Sequence, residues 1–221
     1  MRKLALLLVA STVLLMGCHF NIHDGVAGSG KRATQKRDVS PFKSISLEGA
    51  YTAEIVCQKD LSVELEADDN ILPLLKTEVT DNVLRIKSVQ PYSVSEPVVV
   101  RISVPNLEGL NVSGAGKIEI TGMKNDRFEL DANGAPSIKI AGTTNVVDID
   151  TAGAAKIDAH KLHASKAVVD SKGVSQVEVD VADQLDVKIA GPSKVTYDGN
   201  PTVNKTIAGP GKVEKKASTG A

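Results

Sequence analysis

From Leu107 to Lys216 apolar and polar residues alternate with period two. The alternation is interrupted by Gly114, Gly134, Gly153, Gly173, Gly191 and Gly209, which stand 20, 19, 20, 18 and 18 residues apart. Four residues after each glycine stand Ile118, Ile138, Ile157, Val177, Val195 and Val213, all β-branched; six after stand Ile120, Ile140, Ala159, Val179, Tyr197 and Lys215. Between them lie Glu119, Lys139, Asp158, Glu178, Thr196 and Glu214. The approach to the glycines alternates likewise, through Leu110 and Val112, Phe128 and Leu130, Val147 and Ile149, Ala167 and Val169, and Leu185 and Val187. This pattern predicts strands with one face inward and the other in water. Two short strands per copy of about 19 residues, joined through a glycine bend, predict an all-β chain folded as a right-handed parallel β-helix, or β-solenoid. Coils stacked at about 4.8 Å would carry six copies over roughly 29 Å. Glycine suits the bend because positive φ costs it nothing. A β-sandwich would also alternate, but gives no reason for the same residue class to recur in register through six copies.

Residues 37 to 106 are strand-rich without a clean repeat. Ile45 and Leu47, Val63 and Leu65, Leu84 and Ile86, and Val98, Val100, Ile102 and Val104 alternate, punctuated by turn residues at Asp68-Asp69-Asn70, Asp81-Asn82 and Pro105-Asn106. They predict less regular coils or a β-rich cap that shields one end of the solenoid from edge pairing. At the other end the apolar pattern fails at Lys215, so residues 37–216 form one solenoid domain and 217–221 a disordered tail.

The amino terminus has a different pattern. Arg2 and Lys3 precede an apolar run from Leu4 to Met16, which is too short to span a bilayer and reads as a signal peptide over residues 1–17. The ending Leu15-Met16-Gly17-Cys18 resembles the bacterial lipobox, with Met16 departing from the usual small or branched residue. It predicts cleavage before Cys18 and lipidation of its thiol, where two or three acyl chains, at about 0.8 kcal/mol per buried methylene, hold durably. Residues 18–36, polar and Gly/Ser-containing, read as a flexible tether. His19 follows the cysteine where Asp would signal inner-membrane retention, which favours the outer membrane of a Gram-negative envelope.

Loss of the signal peptide leaves 24 Lys and Arg against 27 Asp and Glu, a formal charge of −3, which gives no footprint for nucleic acid. Aromatics make up 3% of the chain and there is no Trp, so Val, Ile, Leu and Ala must fill a narrow interior. Cys57, the only cysteine besides Cys18, alternates with Tyr51, Ala53 and Ile55 and reads as a small buried apolar residue; no local His or oxyanion site supports a catalytic thiol.

Candidate chemistry sits on the outward positions. Three residues before the glycines stand Asp131, Asp150 and Asp170, and five before stand Glu129 and Asp148. In register these five carboxylates would form an acidic ridge able to bind Ca²⁺ or to host acid and base for glycan cleavage. Charged faces also serve solubility alone, with lysines such as Lys188 relieving the repulsion. His160 and His163, near Asp158, could hold zinc only with a third ligand from elsewhere, and a solvated turn explains them better. No cofactor, metal or catalytic residue is expected. The aromatics form no repeating column of the kind that glycan platforms use.

The stretch GSGKRATQKRDVSPFKSISLEGAYTAEIV, the later VELEADDN, and the recurring SGAGKIEI, NGAPSIKI and AGPSKVTY resemble the putative auto-transporter adhesin head GIN domain family, over about residues 28 to 215. The resemblance implies a β-solenoid on an exported bacterial protein, often a lipoprotein, and brings no catalytic motif. No segment after the sixth repeat could form a membrane β-barrel, so an auto-transporter is not expected. Together these readings predict a non-enzymatic cell-envelope lipoprotein whose solenoid surface binds a protein or glycan. A solenoid carbohydrate-active enzyme using the acidic ridge is the alternative.

Overall fold

A computed structural model describes residues 25–217. The expected signal peptide over 1–17, the expected lipidation site Cys18 and residues 218–221 of the expected tail lie outside the described residues. The strands are β1 (Val26–Ala27), β2 (Arg32–Lys36), β3 (Ser44–Glu48), β4 (Tyr51–Cys57), β5 (Ser62–Asp68), β6 (Leu75–Thr80), β7 (Val83–Ser88), β8 (Tyr92–Ser93) and β9 (Val98–Val104). They continue with β10 (Gly109–Gly114), β11 (Lys117–Gly134), β12 (Ser137–Gly153), β13 (Lys156–Gly173), β14 (Gln176–Ala190), β15 (Lys194–Asp198), β16 (Thr202–Ala208) and β17 (Lys212–Lys215). One 3-10 turn, Leu72–Leu74, interrupts them.

The chain is a parallel β-solenoid of about five turns. From β11 to β14 each strand is nearly a whole coil, bent at corners and paired along its length with the next. The residues after the glycines stack in one sheet, as Ile118, Ile138, Ile157, Val177, Val195 and Val213 pair in succession. Those before the glycines stack in another, as Leu110, Leu130, Ile149, Val169 and Val187 pair in succession. All of these except Val213, which is half-buried, are almost completely buried, each contributing about 1.5–3 kcal/mol through loss of apolar surface to water.

The repeat begins earlier than its spacing indicates. Gly49 has φ +138° and stacks under Gly114, while β3 pairs with β10 and β4 with β11, so residues 44–57 are a regular coil. An excursion then runs out and back before the repeat resumes at Gly109. Within it, β7 and β9 pair parallel to the outer edges of β3 and β4, making a further coil that comes later in sequence but lies outside in space. Antiparallel β6 against β7, β5 against β9 and β2 against β5 complete the cap, closed over buried Phe42, Ile71, Leu72 and Leu75.

Part of the segment 18–36, expected as a flexible tether, is folded. Residues 25–36 belong to the cap: β1 pairs with β8 and β2 with β5 over five residues, and Arg32 reaches Glu66 at 3.2 Å and Asp68 at 3.8 Å. The polar composition that suggests a linker instead serves strand pairing at an edge.

The opposite end closes by charge. Val187 is paired in register by Lys205 and Tyr197 by Lys215, so both lysines occupy inward columns where the stack stops. A second departure from an apolar interior is a buried hydroxyl ladder. Thr151 and Ser171 lie 2.9 Å apart, the Ser171 hydroxyl donates to Ser193 at 2.8 Å, and Ser193 donates to the Gly173 carbonyl at 3.0 Å. With Ser171 committed as donor, Thr151 must donate to it, and one chain of hydrogen bonds crosses three coils.

Candidate functional site

The outward positions ahead of the glycine bend carry the candidate ridge. Parallel register places Asp131 beside Asp150 and Asp150 beside Asp170, with Asn111 before them and Lys188 after. A second column, two residues earlier along the strands, sets Glu129 beside Asp148, then Val168 and Asp186. The five expected carboxylates are therefore brought together on one sheet face, at about 4.8 Å between coils and roughly 7 Å between columns.

The two columns differ electrostatically. Arg127 donates from Nε to Glu129 and from a terminal nitrogen to Asp148, both at 2.8 Å, and so neutralises the second column. In the first column Asp170 has Lys172 at 3.7 Å. Asp150, in the middle, is held above the usual carboxylate range, first by burial and then by Asp170, Asp131 and Asp148, with Lys172 opposing. Relief of repulsion thus comes from Arg127 and Lys172, residues not singled out from the sequence, while the expected Lys188 marks where the acidic column stops. Farther along, Asp186 is held down to about 2 by hydrogen bonds from Asn204 and Gln184, with Lys166 adding to them. Beside the Arg127 end lies a polar cavity of about 320 Å³, lined by Ser44, Asn106, Glu108, Asn125, Asp126, Arg127 and Glu129.

The other candidates separate. Cys57 is buried and its thiol is pushed up to about 11 by burial, as a core residue's should be. His160 and His163, expected on a turn, lie inside β13 and face different partners: His160 Nδ1 is bonded to Asp158, and His163 Nδ1 to Asp180 of the next coil. The glycines Gly114, Gly134, Gly153, Gly173, Gly191 and Gly209 all have positive φ, between +103° and +135°. A Cβ on any of the first five would stand inside van der Waals contact of the preceding glycine's carbonyl oxygen. Among the described residues no helix is long and apolar enough to cross a membrane.

A family model described as "Putative auto-transporter adhesin, head GIN domain" matches residues 41–201. A crystal structure of a "putative adhesin" from Bacteroides fragilis is 21% identical with a TM-score of 0.70, covering 87% of this chain and 100% of that one. A "putative adhesin" from Parabacteroides merdae is 18% identical with a TM-score of 0.57, covering 87% and 99%. A "putative lipid binding protein" from Parabacteroides distasonis is 22% identical with a TM-score of 0.51, over the same shares of the two chains. At these identities the likeness is one of fold. No curated protein matches the chain.

Proposed function

Because the chain belongs to the putative auto-transporter adhesin, head GIN domain family, we propose that it is a non-enzymatic binding module of the bacterial cell envelope. In this reading lipid on Cys18 anchors it in the outer membrane, and the acidic face engages a protein or glycan of another surface component. The observation that carries the reading is the column Asp131, Asp150 and Asp170, held in register on consecutive coils with Asp150 above the usual carboxylate range. A rigid row of carboxylates at the coil spacing complements a partner presenting ammonium or guanidinium groups at similar intervals, and favours encounter with it over long range.

Capture of envelope fractions by the full chain tests this. Binding should weaken with ionic strength and fall stepwise through Asp131→Asn, Asp150→Asn and Asp170→Asn, with folding unchanged. Equal capture by the triple variant would sink the reading. Release of sugar fragments by the wild type but not by the triple variant would replace it with the hydrolytic one. Labelling of cells with radioactive palmitate checks the anchor separately: label on the wild type and none on Cys18→Ser is the expected result.

A further inference from the structure

On the sheet that follows the glycine bend, outward charges alternate from coil to coil through Glu119, Lys139 and Asp158. Asp158 is then followed in register by Glu178, so two carboxylates abut. Like charges directly opposed on neighbouring strands destabilise the pair. His160 stands beside them, with its Nδ1 bonded to Asp158 Oδ1. One ligand atom from each of Asp158, His160 and Glu178 lies within 4.8 Å of the other two. The local backbone is irregular: β13 has one residue more than β12 between the pairs Lys139/Asp158 and Ala141/Lys161, and its register against β14 jumps from Ala159/Val179 to His163/Asp180. Bulges of this kind re-aim side chains. A depression of about 110 Å³ adjoins the trio, lined in part by Thr121, Lys139, Asp158, His160 and Lys161.

We propose that Asp158, His160 and Glu178 bind one divalent transition-metal ion of the Zn²⁺ type, with coordination positions left open toward the depression. One imidazole nitrogen and two carboxylate oxygens suit a borderline ion. Ca²⁺ and Mg²⁺ require more ligands, all of them oxygen. Tetrahedral bonds of about 2.0–2.2 Å set ligand atoms farther apart than a hydrogen bond does, so the ion takes the place of the proton between His160 and Asp158, and Glu178 completes the set. The dication offsets the repulsion between the two acids. Its competitor is Lys216, whose Nζ lies 3.7 Å from Glu178 and 3.5 Å from Asp198. The site is separate from the acidic ridge, on a different sheet.

Isothermal titration of the full chain in detergent with ZnCl₂, and in parallel with CaCl₂, tests the assignment. One equivalent of Zn²⁺ should bind and Ca²⁺ should bind far more weakly. His160→Ala and Glu178→Gln should each weaken Zn²⁺ by at least roughly 10-fold, comparable with the loss of a metal-orienting group. His163→Ala and the double change His19→Ala/His23→Ala should leave it unaltered, and Lys216→Ala should tighten it. Circular dichroism confirms folding of each variant. Undiminished Zn²⁺ binding by His160→Ala, no Zn²⁺ heat at all, or equal affinity for Ca²⁺ would each overturn the proposal.

Discussion

At the scale of single residues, identical local conformations conceal different surroundings. Gly153 and Gly209 have similar φ values, +119° and +110°. A Cβ at Gly153 would press on the Gly134 backbone, whereas at Gly209 the nearest atom lies 3.5 Å away. Backbone strain alone costs about 1–3 kcal/mol at either position. Gly209→Ala should therefore lower the melting temperature modestly, and Gly153→Ala should add a forced separation of coils and lower it much further, as scanning calorimetry would show. Asp150 gives a second test. Its folded-state pKa is raised, so the ionised carboxylate costs stability above that pKa and the cost vanishes as pH falls through it. Asp150→Asn should raise the melting temperature at pH 7, and the gain should shrink toward acid. The glycine column was legible in the sequence because positive φ and close coil contact demand one residue type. The ladder of Thr151, Ser171 and Ser193 was not, because an isolated hydroxyl among β-branched neighbours reads as an outward position until its partner on the next coil is known.

At the scale of elements, what registers against what decides how much could be foreseen. Coils of 18 to 20 residues align by counting, so the ridge columns follow directly from the spacing. Gly49 escapes the count because the excursion between β4 and β10 separates it from Gly114, although Ile45, Leu47, Ala53 and Ile55 repeat the same offsets around it. The trio Asp158, His160 and Glu178 is hidden for a related reason. Two of its members are near in sequence, the third is supplied by the adjacent coil, and the extra residues around His160 disturb the alignment there. The cap strand β2 reads as linker because its partner β5 lies about thirty residues away and its outward residues are polar. It nevertheless covers an edge whose exposure invites pairing with other chains. Deleting residues 25–36 should lower the melting temperature and produce aggregation on heating, measured by light scattering, while a linker could be removed without either effect.

At the scale of the whole molecule, the two ends are closed differently: the first by antiparallel strands, the second by lysines in apolar columns. Lys205 and Lys215 stand where Val187 and Tyr197 point inward on the preceding coil. Charges placed inward on a terminal strand prevent further stacking. Lys205→Val combined with Lys215→Val should leave the melting temperature little changed but give concentration-dependent self-association, seen by sedimentation as dimers or longer assemblies. The failure of the pattern at Lys215 is visible in the sequence, and that at Lys205, four residues before Gly209 as Val187 is before Gly191, follows from the same count. The small β1–β8 pairing has a mechanical consequence. A pull along the amino-terminal segment first meets two paired residues, held by Val26 to Pro91 and Gly28 to Ser93 at 3.0 and 2.8 Å. Beyond them Ser29 and Gly30 are bonded to Asn70 and Asp68, and β2 is secured over five pairs and by Arg32. Under load the first clasp should yield and release about three residues, roughly 10 Å of extension, before tension reaches the cap and the solenoid: a shock absorber in series with a stiff rod.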